Sequence, residues 1–213
     1  MQEAAAAHSD RARYGNPELL PQGRAWVLHR MVLEIHRPPA LGDELHVATW
    51  YRGGGGVRSY RDFEIHAGAE KLVSAASLWL LLHRESKKIL RIPGEVNERY
   101  GTVDARALEM DMDAWKPDSN FEPEIAVPIP TRPSDYDPLG HVNNAVYFDY
   151  VETLMERLPE HTIQPGVLAI QFSSEIPREV SEIRAGLKNE GETVIFKLMS
   201  GMGLHAAGEW KPA

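Results

Sequence analysis

Arg132-Pro-Ser-Asp-Tyr-Asp-Pro-Leu-Gly-His-Val-Asn-Asn-Ala-Val-Tyr147 decides how this chain is read. Two carboxylates, one imidazole and two amides fall between Asp135 and Asn144, and an amphipathic helix follows without a break. The spacing predicts that helix over 145–158. Its apolar positions, Val146, Tyr147, Tyr150, Val151, Leu154, Met155 and Leu158, recur on one face and form a stripe that must be buried. Asn143 or Asn144 is the expected N-cap, because a short amide satisfies an orphan backbone N–H. Pro159 is the expected stop. Acid, base and backbone donors at one helix start form a layout for polarising a carbonyl, since the first N–H groups of a helix point at whatever binds there.

Outward from this motif, strands are expected over 124–130, 167–174, 181–188, 193–199 and 204–210. The first half reads as a helix over 3–13, with Gly15 as its C′ residue. Strands follow over 26–35, 44–51, 59–66 and 72–83, then a turn over 85–88 and a short strand reaching Ile92-Pro93. Gly53-Gly-Gly-Gly56 reads as a mobile hairpin tip; no Lys-Ser/Thr follows it, so a phosphate loop is not supported. Leu78-Trp-Leu-Leu-Leu82 reads as buried on both faces or as lining an apolar cavity. Residues 101–123 carry many Asp, Glu and Pro and no sustained period, the pattern of a linker. Three segments result: 1–100, a linker over 101–123, and 124–213. The two halves look alike. Leu33-Glu-Ile35 matches Ser174-Glu-Ile176, and Ala75-Ala-Ser-Leu-Trp79 matches Ala206-Ala-Gly-Glu-Trp210, in the same order. A helix wrapped by an antiparallel sheet, twice in tandem, is an α+β architecture.

Composition narrows the function. The chain has 213 residues, 43% hydrophobic and 25% charged, ordinary values for a globular protein with a real core. A net charge of −8 argues against general nucleic-acid binding, and an acidic protein partner would need a local basic patch. With no Cys there is no thiolate nucleophile and no disulfide. His29, His36, His46 and His66 lie on separate strands without ligand-like spacing, so neither a metal nor another cofactor is expected. The N-terminal residues lack the pattern of a signal peptide. No run of roughly 18 apolar residues occurs, and the expected location is the cytoplasm.

The motif Asp137-Pro-Leu-Gly-His-Val-Asn-Asn-Ala-Val-Tyr147 resembles the helix entry of hotdog-fold thioesterases. Trp26-Val-Leu-His-Arg30, Gly42-Asp43, Thr49-Trp50, Arg61-Asp62-Phe63, Ala75-Ala-Ser77 and Arg91-Ile-Pro93 follow in an order similar to that of the acyl-ACP thioesterases, which are double-hotdog proteins. The resemblance covers nearly the whole chain. It implies hydrolysis of fatty acyl-ACP, with chemistry in the C-terminal hotdog and an acyl-chain pocket in the N-terminal one. Asp137 and His141 match the motif aspartate and histidine, and Glu175 falls where the family has an acidic residue. The sequence departs at Leu139, where the family usually has asparagine, and at Ile176, where it often has cysteine. No strand precedes the first helix, so the first hotdog is expected to lack its first strand.

Each candidate also has a plainer reading. Asp135 and Asp137 lie in a good turn sequence, and Asp135 is read as structural. Asn143 and Asn144 are read as caps and braces at the helix start, beside the oxyanion site. Glu175 alone is what many solvent-facing strand glutamates look like. Trp79, Leu80 and Trp50 are read as substrate-binding wall, with the acyl chain lying against 78–82 and the Ala-rich face of the first helix; Trp50, Trp79 and Trp210 also suit a core. Arg84, Lys87, Lys88 and Arg91 form a basic hairpin, either a solvated turn or a contact for a carrier protein or phosphopantetheine arm. An acyl-CoA thioesterase, a non-catalytic acyl-thioester binder and a dehydratase remain alternatives. Monomer and homodimer both remain open.

Overall fold

The computed structural model describes residues 1–158 and 165–213. The chain forms two units, Met1–Ala114 and Trp115–Ala213. Each is α+β with an antiparallel sheet.

In the first unit, helices α1 (Gln2–Arg11) and α2 (Asn16–Leu19) precede β1 (Arg24–Ile35), β2 (Leu45–Gly55), β3 (Arg58–Ala67), β4 (Glu70–His83) and the short β5 (Ile89–Leu90). The sheet order is β2-β3-β4-β1, with β5 on the end of β4. The central strand β4 is buried on both faces from Leu72 to Leu78, a stretch rich in Ala and Ser. The expectation for 78–82 is burial on both faces or a cavity wall; Leu78 and Leu81 are buried, Trp79, Leu80 and Leu82 are partly open, and Trp79 lines a cavity. Small side chains between Leu72 and Leu78 fill the middle of the strand that is covered on both sides.

The glycine run reaches the hairpin turn only at Gly56; the rest of it is strand. Gly53, Gly54 and Gly55 are paired with Tyr60, Ser59 and Arg58, and only Gly56 and Val57 make the turn. A bulge between Tyr51 and Gly53 lets the strand bend. A Cβ on Gly54 would sit 2.6 Å from the Tyr51 hydroxyl and 2.9 Å from the Arg58 carbonyl. This close packing is organised by a helix the sequence pattern did not reveal, α3 (Glu95–Tyr100). From it the Asn97 side chain accepts from Tyr51 Oη at 2.7 Å and Gly54 N at 3.0 Å, and donates to Gly54 O at 3.1 Å. Gly15 is likewise not the C′ residue of α1. It opens α2, its N–H held by Glu18 Oε2 at 3.1 Å.

No regular element spans 101–124, but this stretch is not slack. Val103 N bonds to Tyr51 O, Ala107 N to Asp62 Oδ2, and Arg30 Nη1 to Met112 O, all within the first unit. In the second unit, Trp115 Nε1 donates to Glu209 Oε1 at 2.8 Å and the Lys197 ammonium to the Phe121 carbonyl.

The second unit runs β6 (Ile125–Pro130), α4 (Asn144–Met155), β7 (Gly166–Phe172), β8 (Glu182–Glu190), β9 (Thr193–Ser200) and β10 (Gly203–Pro212). Its sheet order is β7-β10-β9-β8-β6. Of the predicted stripe on α4, Tyr147, Tyr150, Val151, Leu154 and Met155 are buried, while Val146 and Leu158 are partly open. Tyr147 meets Phe172 edge-on at 5.2 Å. The helix ends at Met155, and Pro159 lies outside the described residues.

The strand orders β2-β3-β4-β1 and β8-β9-β10-β7 correspond, so β4 and β10 are equivalent central strands. The two Ala-rich matches lie on them. Ala75 is opposite Leu33 and Ala206 opposite Phe172, which aligns residue 33 with 172. The other match aligned 33 with 174, two residues out of step, and Glu175 lies beyond the end of β7 instead of on a strand. β6 has no counterpart ahead of α1 among the described residues.

Leu154 is fully buried in the second unit. Leu154→Ala is expected to destabilise the protein by about 2–5 kcal/mol, read from the urea midpoint.

Candidate functional site

The site is built on the loop between β6 and α4. Pro133, Ser134 and Asp135 form a single 3-10 turn. Asp135 is 1% exposed, and its side chain ties the loop together. Its carboxylate accepts from Arg132 N at 2.8 Å, Arg132 Nε at 2.9 Å and Tyr150 Oη at 2.7 Å. Its carbonyl accepts from Asn143 N at 2.8 Å. Burial pushes the Asp135 carboxyl up, but the Arg132 amide, the Tyr150 hydroxyl and the Arg132 guanidinium outweigh this and hold it below its ordinary value. Asp135 is structural, as the turn chemistry suggested.

Beyond it the chain makes a narrow loop. Tyr136 and Val142 bridge, and Asp137 N bonds to His141 O at 2.9 Å. Asp137 Oδ1 accepts from Leu139 N at 2.8 Å and Gly140 N at 3.1 Å, an Asx turn. Gly140 has φ +94°, a conformation that an L side chain strains. Asp137 Oδ2 accepts no hydrogen bond among the described residues.

The loop is anchored to the segment after β7, where Val142 N donates to Ile176 O at 3.0 Å and His141 bridges Pro177. This brings three candidates together. His141 Nε2 is 3.0 Å from Glu175 Oε2, and His141 Nδ1 is 3.6 Å from Asp137 Oδ1. The imidazole thus stands between two carboxylates. The side chains of His141 and Asp137 are 29% and 18% exposed and that of Glu175 41%, so the group opens to solvent.

Asn143 caps α4, its Oδ1 accepting from Ala145 N at 2.9 Å. Asn144 is the first helical residue, and its N–H has no protein acceptor among the described residues. That N–H is a helix-start donor for an oxyanion, at the positive end of the helix dipole. Leu139 is 37% exposed and contributes only its N–H to the turn. Ile176 is fully buried.

One residue here was not singled out from sequence. His205 on β10 is 1% exposed. Its Nδ1 lies 3.0 Å from Glu175 O and 3.1 Å from Ser174 Oγ, and its Nε2 2.7 Å from Ser200 Oγ. The carbonyl acceptor assigns the proton to Nδ1, and Nε2 then accepts from Ser200. Tyr147 Oη adds a bond to Ser174 O at 3.3 Å. The backbone that carries Glu175 is therefore fixed from two sides. No local motif surrounds His205; its only signal is a lone histidine inside an apolar strand.

In the first unit, Trp79 lines a cavity with Ala5 and Ala6 of α1. Leu80 and Trp50 are not on that wall; Trp50 Nε1 instead donates to Ala105 O at 2.7 Å and braces the stretch after α3. Trp210 is partly open and stands over Gly166. Among the described residues, no group of three or more His, Cys, Asp or Glu is placed to hold a metal ion, and no helix is long and apolar enough to cross a membrane.

Comparison with known proteins gives the family of the chain. Residues 1–100 match the acyl-ACP thioesterase N-terminal domain and residues 119–201 the C-terminal domain. The chain belongs to the acyl-ACP thioesterase family. The chloroplastic acyl-[acyl-carrier-protein] hydrolase FATB2 of Cuphea viscosissima is 27% identical over 235 residues, covering 100% of this chain and 56% of the relative. The corresponding figures for FATB3 of the same plant are 29% over 154 residues, 70% and 36%. The chain thus spans between about a third and somewhat over half of these relatives. The 12:0-ACP thioesterase from Umbellularia californica superposes with a TM-score of 0.82 at 23% identity, covering 100% of this chain and 87% of the other. An acyl-ACP thioesterase from Bacteroides thetaiotaomicron gives 0.80 at 19% identity, covering 97% and 84%. The fold is that of these double-hotdog proteins.

Burial, ahead of the raising effects of the Glu175 and Ser174 bonds, holds the His205 pKa below its ordinary value. Below about pH 6.5 the unfolded chain therefore takes up a proton that the folded chain resists, and stability is lost as pH falls through the lowered value. Equilibrium denaturation between pH 7 and 5 is expected to show this slope, and His205→Asn to flatten it.

Proposed function

We propose that this chain is a thioesterase that hydrolyses fatty acyl-ACP to free fatty acid and ACP in the cytoplasm. The observation that carries the reading is the imidazole of His141 held between Asp137 and Glu175 at the start of α4, in a chain of the acyl-ACP thioesterase family.

In this reading the thioester carbonyl oxygen accepts the Asn144 N–H, where negative charge develops during attack. Asp137, with Oδ2 directed to no protein donor, takes a proton from a water molecule. The water oxygen bonds to the carbonyl carbon, and the C–S bond breaks as the tetrahedral adduct collapses. His141, oriented by Glu175, carries a proton to the departing sulfur, so that acid and thiol leave and the carboxylates are restored. The exposed hairpin of Arg84, Lys87, Lys88 and Arg91 offers local positive charge for an acidic carrier protein on a chain of net charge −8.

Leu139 supports a second reading, an acyl-CoA thioesterase of the same chemistry. It stands where acyl-ACP thioesterases usually carry asparagine, and the Asp-Pro-x-Gly-His form resembles the broader acyl-CoA hotdog enzymes.

Thiol release from palmitoyl-ACP and palmitoyl-CoA at matched concentration separates these. Turnover is expected to favour ACP and to fall about 100-fold or more in Asp137→Asn and in Glu175→Gln. Turnover of CoA alone would select the second reading. Binding of either thioester without turnover would leave a non-catalytic acyl-thioester binder.

A further inference from the structure

Strand β2 lies at the edge of the first-unit sheet, and among the described residues it pairs with β3 alone. Its N-terminal half is open. Leu45, His46, Val47 and Ala48 are all exposed, Leu45 at 44% and Val47 at 39%. Val47 is the outer end of an apolar row that crosses one face of the sheet through Ile65, Val73 and Ile35. The Tyr51 carbonyl accepts from Val103 N, so it points away from β3. Alternation along the strand turns the N–H and C=O of Leu45, Val47 and Thr49 the same way. Among the described residues these outward groups have no backbone partner.

The second unit shows how this fold closes the same edge. Ala75 is opposite Phe63 and Phe63 opposite Thr49; Ala206 is opposite Leu198 and Leu198 opposite Ala185. Thr49 thus corresponds to Ala185, and Val47 to Ile183. Ile183 is fully buried, with Ile129 of β6 opposite it. Glu124 N bonds to Leu187 O as Val103 N bonds to Tyr51 O, but only the chain after Glu124 runs on along the edge. β6 in turn is guarded. Thr131 N bonds to Ser181 O, and alternation turns the main-chain groups of Ile129 and Val127 toward β8 as well. Pro128 and Pro130 then take the outward positions, where proline offers no N–H to another strand.

The β2 edge has no such guard. From Leu45 to Trp50 there is no proline and no Asp, Glu, Lys or Arg. This edge is also complementary to itself. Antiparallel pairing about a two-fold axis at Val47 sets Leu45 opposite Thr49 of the second copy, and about six main-chain hydrogen bonds form with no like charges facing each other. A partner of different sequence needs an unguarded strand of its own; a second copy brings one that already fits. We propose that β2 is a dimerisation surface, through which two copies join edge to edge over residues 45–49 with Val47 facing its own counterpart. The proposal does not rest on the hydrolase reading.

Sedimentation velocity of the full chain from about 2 to about 200 μM tests the surface. So small an interface is expected to give a concentration-dependent dimer of roughly micromolar strength. Val47→Lys and Val47→Glu each set like charges opposite each other on the axis. Each is expected to weaken the dimer at least about tenfold, and an equimolar mixture of the two is expected to regain it. Val47 is half-exposed, so both variants are expected to keep the circular dichroism spectrum unchanged. Met202→Lys, at an exposed turn of the second unit, is expected to leave the dimer intact. Hydrogen exchange at the Leu45, Val47 and Thr49 amides is expected to slow about tenfold or more as concentration rises. A monomer throughout the range would overturn the proposal. So would a dimer that persists in Val47→Lys, or a mixture of the two charge variants that stays monomeric. Loss of thioester turnover, by contrast, would strike the hydrolase reading and leave this surface untouched.

Discussion

The candidate site depends on one buried carboxylate. Asp135 gathers the backbone and guanidinium of Arg132, the hydroxyl of Tyr150 on α4 and, through its carbonyl, the N–H of the cap residue Asn143. Three pieces of chain are thereby fixed to each other: the residue that enters the 3-10 turn, the cap of α4 and the buried face of α4 at Tyr150. A buried carboxylate with all these donors favours one arrangement strongly, because any other leaves charge or donors unsatisfied. The acid that performs no proposed chemistry is thus the one that sets where the other groups stand.

The same logic operates behind Glu175. Its side chain meets His141, but its position is set by its backbone, which His205 and Tyr147 hold from β10 and α4. A glutamate past the end of a strand would otherwise sit on a segment with few constraints. Two buried polar side chains, each with its own partners, convert that segment into a rigid mount.

Much of this was legible in sequence because the signals are local. The stripe on α4 and the Asn143 cap follow from helical spacing and amide chemistry, and β1, β4, β7 and β10 follow from their apolar runs. The meeting of Asp137 with His141 is also local, four residues apart. Glu175 is marked in the sequence only by family resemblance, since its approach to His141 is made by the fold. His205 and Asn97 were missed for the same reason. Each makes bonds across tens of residues, and neither carries a neighbouring motif. The glycine run misled because glycine serves two purposes. Flexibility and close packing look the same in sequence, and only the Tyr51 hydroxyl and Asn97 side chain show which applies. The short α3 has too few residues to show a period.

The Asx turn of the loop before α4 also determines where this chain tolerates change. Gly140 holds a left-handed backbone that side chains resist, whereas its neighbour Leu139 lends the turn an amide and is 37% exposed. Adjacent positions therefore differ sharply in substitutability. At 139 the turn uses only the backbone N–H, which every residue but proline supplies, so a change of side chain there leaves the Asp137 frame in register.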